Sequence, residues 1–593
     1  MTFDLKIADG IVFDGDGGEP VRANIGIRDG RIAEIGRCAA EADHHVDAEG
    51  AIVTPGFIDL HTHYDGQISW DEEMRPSVNF GVTTVLMGNC GVGFAPVRPK
   101  DHDRLIRLME GVEDIPGTAL HEGIGWGWES FGDYLDAIDA RPHTIDFAAM
   151  AVHDPIRVYA MGERAVAGEP ASDDDLKLMR ALLREALGAG AAGFSIGRSD
   201  VHRTADGHWT PSSEASREEL VSLASVMNGR QRGVLQIVND FNLERPGDQF
   251  GQEFDLVEAF ACAGGRPCSI SLMQRDFAPD QWKRILKETE RLNGDGVDFR
   301  VQVAPRGIGV FNGLQCSMHP LMAQPLYQQI KAKPLEERVR IMRDPDFRRR
   351  CLADKPVKLA GPGSSTPPIV DALIAAIELV ANKFYRLGET PDYDQGSDGS
   401  LGAEARRDGV PVMEKLYDAL MELDGRQLLY FPIYNYTEFS YDNVHRMLTH
   451  PNAMIGLSDG GAHVGTICDA SFPAYLLSYW TRDRADHRIA LSRAVRMLTA
   501  DGADYLGLED RGRLKVGLKA DINVIDYDRL QLHAPEVVYD LPSGGRRIVQ
   551  RTTGYTATLV AGQVVTRDGR ATGALPGRLV RGPQAAPMLA AAE

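Results

Sequence analysis

The chain has 593 residues, 43% of them hydrophobic and 25% charged, a mixture that builds packed cores and is too long for a single compact one. Lys and Arg number 64 against 85 Asp and Glu, a net charge of −21 that repels nucleic acid phosphates and anionic lipid headgroups, so neither is expected as a partner. The opening MTFDLKIADGIVFDGDG has no basic stretch ahead of an apolar core, and no apolar run approaches the roughly 20 residues that span a bilayer, so a soluble, cytoplasmic protein is expected.

The seven cysteines, Cys38, Cys90, Cys262, Cys268, Cys316, Cys351 and Cys468, are scattered and include no Cys-x-x-Cys pair. Neither a disulfide framework nor a zinc knuckle is indicated.

Residues 1–55 alternate apolar and polar positions between turn signals, and the Asp-Gly steps in IADGIV and IRDGRI are hairpin signals. The same texture returns in GRLKVGLKADINVIDYD and YTATLVAGQVVTRDGRAT, which suggests that both chain ends pair into one satellite β domain. Between them the pattern changes to apolar strands separated by helices, the signature of βα units. The strand candidates in order are TPGFIDLHTH, TTVLMGNCG, IDFAAMAVHD, AAGFSIGRSD, GVLQIVND, CSISLMQRD, DFRVQVAPRG and NAMIGLSDGG. They are eight, the number that closes a barrel. SDDDLKLMRALLREALGAG, SREELVSLASVMNGR and APDQWKRILKETERLNGDG read as helices between them, the first opening on a Ser172 cap and closing on glycine.

The expected fold class is therefore α/β, a TIM (β/α)8 barrel with a small β-sandwich domain formed from both chain ends. The sandwich takes residues 1–55 and 506–575, the barrel 56–505, and a tail 576–593. Long insertions at about 97–143 and 308–450 are lid candidates that should overhang the C-terminal mouth, where βα loops emerge. Their aromatic stretches GWGWESF and YFPIYNYTEFSYDN either line the pocket or pack beneath the lid.

A barrel gathers the C-terminal ends of its strands at one rim. Strand one brings His61 and His63, whose alternate spacing points both side chains the same way. Strand two brings Cys90, strand three His153 and Asp154, strand four Arg198 and Asp200, strand eight Asp459. Two imidazoles, a thiolate and a carboxylate suit zinc with a position left open for water; a hydrogen-bonded histidine pair is the plainer alternative.

With these residues in hand, the sequence resembles the amidohydrolase superfamily and, within it, the N-acyl-D-amino-acid deacylase (D-aminoacylase) group. VTPGFIDLHTHYD, GVTTVLMGNCGVGFAPVRP, MIGLSDGGAHVGT and the terminal GRLKVGLKADINVID carry the resemblance over nearly the whole chain. It implies a zinc-dependent hydrolase of a small-molecule amide, with His61, His63, Cys90 and Asp459 as metal ligands and Asp459 as the catalytic residue that moves the water's proton. The group also carries metal-binding histidines at the ends of strands five and six. Here those ends offer Gln236, Asn239 and Asp240, then Gln274 and Asp276, so one zinc is expected rather than two. Arg275 is the nearest basic residue to the place where the group holds a substrate carboxylate.

Candidate substrate-binding residues are His153, Arg198, His202, Gln236, Gln274, Arg306 and His463. Two other functions remain open: hydrolysis of a cyclic amide, imide or lactone, and a barrel without catalysis that serves as a binding module. Self-association into a homo-oligomer is common for a chain of this size.

Overall fold

The computed structural model describes residues 2–242, 245–361 and 363–587; the end of the expected tail, 588–593, lies outside the described residues. The two chain ends share one nine-stranded sheet. Its seam is Ile52–Pro55 against Ile522–Ile525, antiparallel, with Val53 opposite Val524. Inward-facing Leu5, Ile7, Ile25, Val53, Ile522, Val524 and Leu559 form its core. The alternation that marked both ends in the sequence is this buried face.

Eight parallel strands make up the middle: β1 Phe57–Asp59, β2 Val82–Met87, β3 Asp146–Ala149, β4 Gly193–Arg198, β5 Val234–Asn239, β6 Cys268–Leu272, β7 Phe299–Val303 and β8 Ala453–Ile455. β1 pairs with β2 and β2 with β3. Past Met150 the chain continues as Ala151–Val152 beside β4, and pairing then runs β4, β5, β6, β7, β8. A parallel bridge between Thr62 and Gly460 returns the succession to β1. Most of these residues are buried on both faces, which explains why the strands read as continuous apolar runs.

The connecting helices follow their local signals. Asp173–Ala189 opens on a reciprocal capping box between Ser172 and Asp175 and stops at Gly190, whose φ of +118° suits glycine. The insertion at 97–143 folds as helices His102–Glu113, Gly117–Gly123 and Phe131–Asp139. Its tryptophans pack inward: Trp126 stacks on His102, and Trp128 donates its indole N–H to the Phe94 carbonyl (2.9 Å). The insertion at 308–450 contributes an antiparallel sheet, Ile308–Asn312, Leu429–Tyr434 and Tyr385–Arg386. Helices around it supply a core of their own, including Leu321, Tyr327, Leu416 and Leu420. Tyr430, Tyr436 and Tyr441 are fully buried.

At the start of β3, Asp146 is a buried anchor. It pairs with Arg511 and, at 2.5 Å, with Lys519, and it accepts the Arg578 backbone N–H at 2.9 Å. Asp146→Asn removes the one carboxylate that Arg511 and Lys519 share, leaving Arg511 to Asp510 and Lys519 to Asp521, and is expected to cost about 3 kcal/mol. A lowered chemical-denaturation midpoint with unchanged metal uptake is the outcome that a purely structural role predicts.

Candidate metal centre

His61 and His63 follow β1 directly and are each 1% exposed. His61 Nε2 lies 3.3 Å and His63 Nε2 3.8 Å from Cys90 Sγ. One oxygen of Asp459, Oδ1, lies 3.4 Å from His61 Nε2 and 3.8 Å from His63 Nε2. Zinc bonds of about 2.0–2.3 Å in a tetrahedron imply ligand-to-ligand edges of about 3.3–3.8 Å, so the two histidine nitrogens stand close to that spacing from both Cys90 Sγ and Asp459 Oδ1. Among the described residues, His61, His63 and Cys90 are the group whose ligand atoms lie within 4.8 Å of one another.

Backbone geometry brings the sulfur here. Cys90 has φ of +57° and Gly91 +75°, a left-handed turn that an ordinary residue adopts only when its surroundings hold it. The Cys90 N–H donates to Gln236 Oε1 (3.1 Å), and the Gly91 N–H to Ser195 Oγ (3.1 Å). A Cβ on Gly91 would stand 2.7 Å from the Gly197 nitrogen, so glycine is required after the cysteine. Asp459 also has positive φ, +48°. Its N–H donates to the His61 carbonyl (3.1 Å), and the His63 N–H donates to the Gly460 carbonyl (2.8 Å).

Each histidine is oriented through its other ring nitrogen. His61 Nδ1 lies 2.7 Å from Gln302 Oε1, and Gln302 Nε2 donates to Ser269 Oγ (2.9 Å), which fixes the amide and leaves His61 Nε2 as a lone-pair donor. His63 Nδ1 lies 3.3 Å from Glu113 Oε1, a carboxylate that is 1% exposed. Neither Gln302 nor Glu113 stood out in the sequence. Gln302 had a signal, a polar side chain in the apolar RVQVAP strand; Glu113, in LMEGVED, had none to set it apart from a solvated helix residue.

The electrostatics ask for a cation. Burial, helped by His63, pushes His61 down to about 4 against the pull of Asp459. Burial would lower His63 too, but Glu113, Asp459 and Cys90 carry it well above its ordinary value. Burial would raise Asp459, and His63, His61 and His463 hold it below the usual carboxylate range instead. Burial pushes the Cys90 thiol up to about 11. Glu113 and Asp459 thus face histidines, and a divalent ion in place of their protons would balance the charge.

The other predicted residues divide. His463 lies at the site, its Nε2 3.4 Å from Glu113 Oε2. His202 is near enough to feel His463, His63 and Asp459, and burial with those histidines pushes it down to about 3. Gln236 holds the Cys90 turn rather than facing open space. His153 is fully buried with Nε2 2.8 Å from Glu219, and Arg198 makes a two-pronged pair with Glu253 (2.9 and 3.0 Å). Gln274 Nε2 donates to both Glu438 oxygens (2.9 Å). Arg306 is buried against Asp469 (2.9 Å) and over the Tyr393 ring. These four are engaged by protein partners. Arg275, also buried, donates to Gln281 Oε1 (2.8 Å) and the Asn239 carbonyl (3.3 Å).

A family model described as "Amidohydrolase family" matches residues 44–566. An uncharacterized protein of Mycobacterium tuberculosis is 29% identical over 96% of this chain and 93% of its own. N-acyl-D-glutamate deacylase of Alcaligenes xylosoxydans xylosoxydans is 28% identical, over 88% of each chain. The crystal structure of N-acyl-D-glutamate deacylase from Bordetella bronchiseptica, complexed with zinc and a phosphonate mimic of the tetrahedral intermediate, aligns with a TM-score of 0.63 at 25% identity, covering 98% of this chain and 100% of that one. D-aminoacylase aligns with a TM-score of 0.64 at 23% identity and the same coverage, a likeness of fold.

Two outcomes test the centre. Because the Cys90 thiol must release a proton to ligate, apparent zinc affinity is expected to rise by at least about tenfold per unit between about pH 6 and pH 9, and chelator competition across that range checks it. A flat profile removes Cys90 from the ligand set. Gln302→Leu deletes the acceptor that orients His61 and is expected to weaken zinc by about 10–100-fold in the same assay.

Proposed function

The chain belongs to the amidohydrolase family, metal-dependent hydrolases acting on carbon–nitrogen bonds, and we propose that it cleaves the amide of an N-acyl-D-amino acid or a related N-acyl amide with one zinc ion. The observation that carries this reading is the single Asp459 oxygen standing 3.4 Å and 3.8 Å from the two histidine nitrogens that flank Cys90. We read the returning succession of parallel strands as a (β/α)8 barrel and the shared terminal sheet as part of its β-sandwich domain.

His61, His63, Cys90 and Asp459 would hold a zinc ion, which would act as a Lewis acid and bring the pKa of a water down to about 7. The remaining work falls to the chain. Asp459, held ionised by the histidines beside it, accepts a proton from the attacking water and delivers it to the leaving amine nitrogen. His61 stays a neutral donor because Gln302 takes its Nδ1–H. His463, 28% exposed, and His202 lie near this group, and we read them as contacts for a substrate's polar atoms.

One ion rather than two follows from what β5 and β6 present. Gln236 and Gln274 are amides already engaged with Cys90 and Glu438, and neither is a ligand that competes for zinc. Support for the substrate class comes from the similarity to N-acyl-D-glutamate deacylase over 88% of each chain, joined to Arg275, a buried guanidinium whose Nε has no hydrogen-bond partner among the described residues.

Purified protein loaded with zinc is expected to release free amino acid from members of a panel of N-acetyl-D-amino acids and to leave their L-enantiomers and cyclic amides intact. Asp459→Asn is expected to lower kcat by about 100- to 10,000-fold. Turnover confined to cyclic amides would replace the substrate assignment.

A further inference from the structure

Glu113 reaches two histidines with one carboxylate. It is the last residue of helix His102–Glu113, which ends at Asp114 with φ of +50°. Its side chain is 1% exposed, with Oε1 3.3 Å from His63 Nδ1 and Oε2 3.4 Å from His463 Nε2. The Glu113 carbonyl also accepts the His463 backbone N–H. His463 in turn holds a left-handed φ of +48°, so main chain and side chain of one residue both fix it.

Among the described residues, His63 Nδ1 and Glu113 Oε2 are buried and make no hydrogen bond, so the carboxylate–imidazole contacts at 3.3 and 3.4 Å are the nearest polar company each of them has. The insertion that bears Glu113 is pinned on its far side as well: Ser317 Oγ, from the second insertion, donates to Asp114 at 2.9 Å. A carboxylate that sits behind a histidine ligand orients the ring and raises its basicity. This one stands behind His63 while also facing a second imidazole that is 28% exposed and lies outside the His61, His63 and Cys90 group.

We propose that Glu113 is a shared positioning residue: through Oε1 it fixes the ring of His63 toward the metal, and through Oε2 it holds the partly exposed His463 beside it, tying metal retention to the placement of a second histidine that is open to a substrate. The inference rests on the reading of His63 as a metal ligand. The neutral amide of Gln302 behind His61 and the carboxylate behind His63 make the two ligands unequal, His63 being the stronger donor.

Full-length wild type, Glu113→Gln and His463→Ala decide the matter by zinc affinity from chelator competition, with histidine-selective nitrogen-15 spectra of the zinc-saturated proteins beside it. Glu113→Gln is expected to hold zinc about 10–100-fold more weakly, and His463→Ala within about twofold of wild type, since it removes no ligand. In zinc-saturated Glu113→Gln the His463 ring resonances are expected to shift. Wild-type zinc affinity in Glu113→Gln, or an unmoved His463 ring, overturns the shared role and leaves the hydrolase reading standing. A wild type that takes up no zinc overturns both. If Glu113→Gln does not fold, Glu113→Asp replaces it. That variant keeps the charge and withdraws the carboxylate by one methylene, so zinc affinity still falls if position is what counts and stays at the wild-type level if it is not.

Discussion

The meeting of the first and last parallel strands is the constraint on which the site depends. Two backbone hydrogen bonds make it, from Asp459 N to the His61 carbonyl and from His63 N to the Gly460 carbonyl. They join residues about four hundred positions apart and set a carboxylate beside two imidazoles within a few ångströms. Without that seam the histidines would be the end of an ordinary strand. With it, the left-handed turns at Cys90 and Asp459 become useful, because each aims a ligand atom at a point that regular backbone would miss.

Holding such a group together in a buried place has an electrostatic consequence. Two carboxylates, a thiol and several imidazoles share a volume with little water, and each alters its neighbours' proton affinity. His61 is driven neutral while His63 is driven to keep its proton. The contrast traces to what lies behind each ring, an amide for one and a carboxylate for the other. A cation is the simplest way to satisfy both, since it relieves the carboxylates and leaves each imidazole with one nitrogen to donate.

Much of the frame was legible in the chain. The eight apolar candidates coincide with β1 to β8, because strands buried on both faces cannot hide their composition. The Ser172 cap and Gly190 stop bound their helix as expected, since both are local signals. His61, His63, Cys90 and Asp459 were legible as a group because the topology that gathers strand ends is a general rule. The rim residues were harder to read. His153, Arg198, Gln274 and Arg306 share the residue types of binding groups, but buried Glu219, Glu253 and Asp469 and the exposed Glu438 take them up. No sequence spacing announces those pairings.

The sequence by itself determined the class of fold, the order of strands and the residue types of the candidate metal centre, since these depend on periodicity, turn residues and the side chains at strand ends. The tertiary structure alone decided which polar groups face the site. Glu113 enters from an insertion, Gln302 from the seventh strand and His463 from the turn after the eighth. Their convergence is a matter of how distant segments pack, and a carboxylate on a helix reads the same in sequence whether it meets solvent or the back of a ligand.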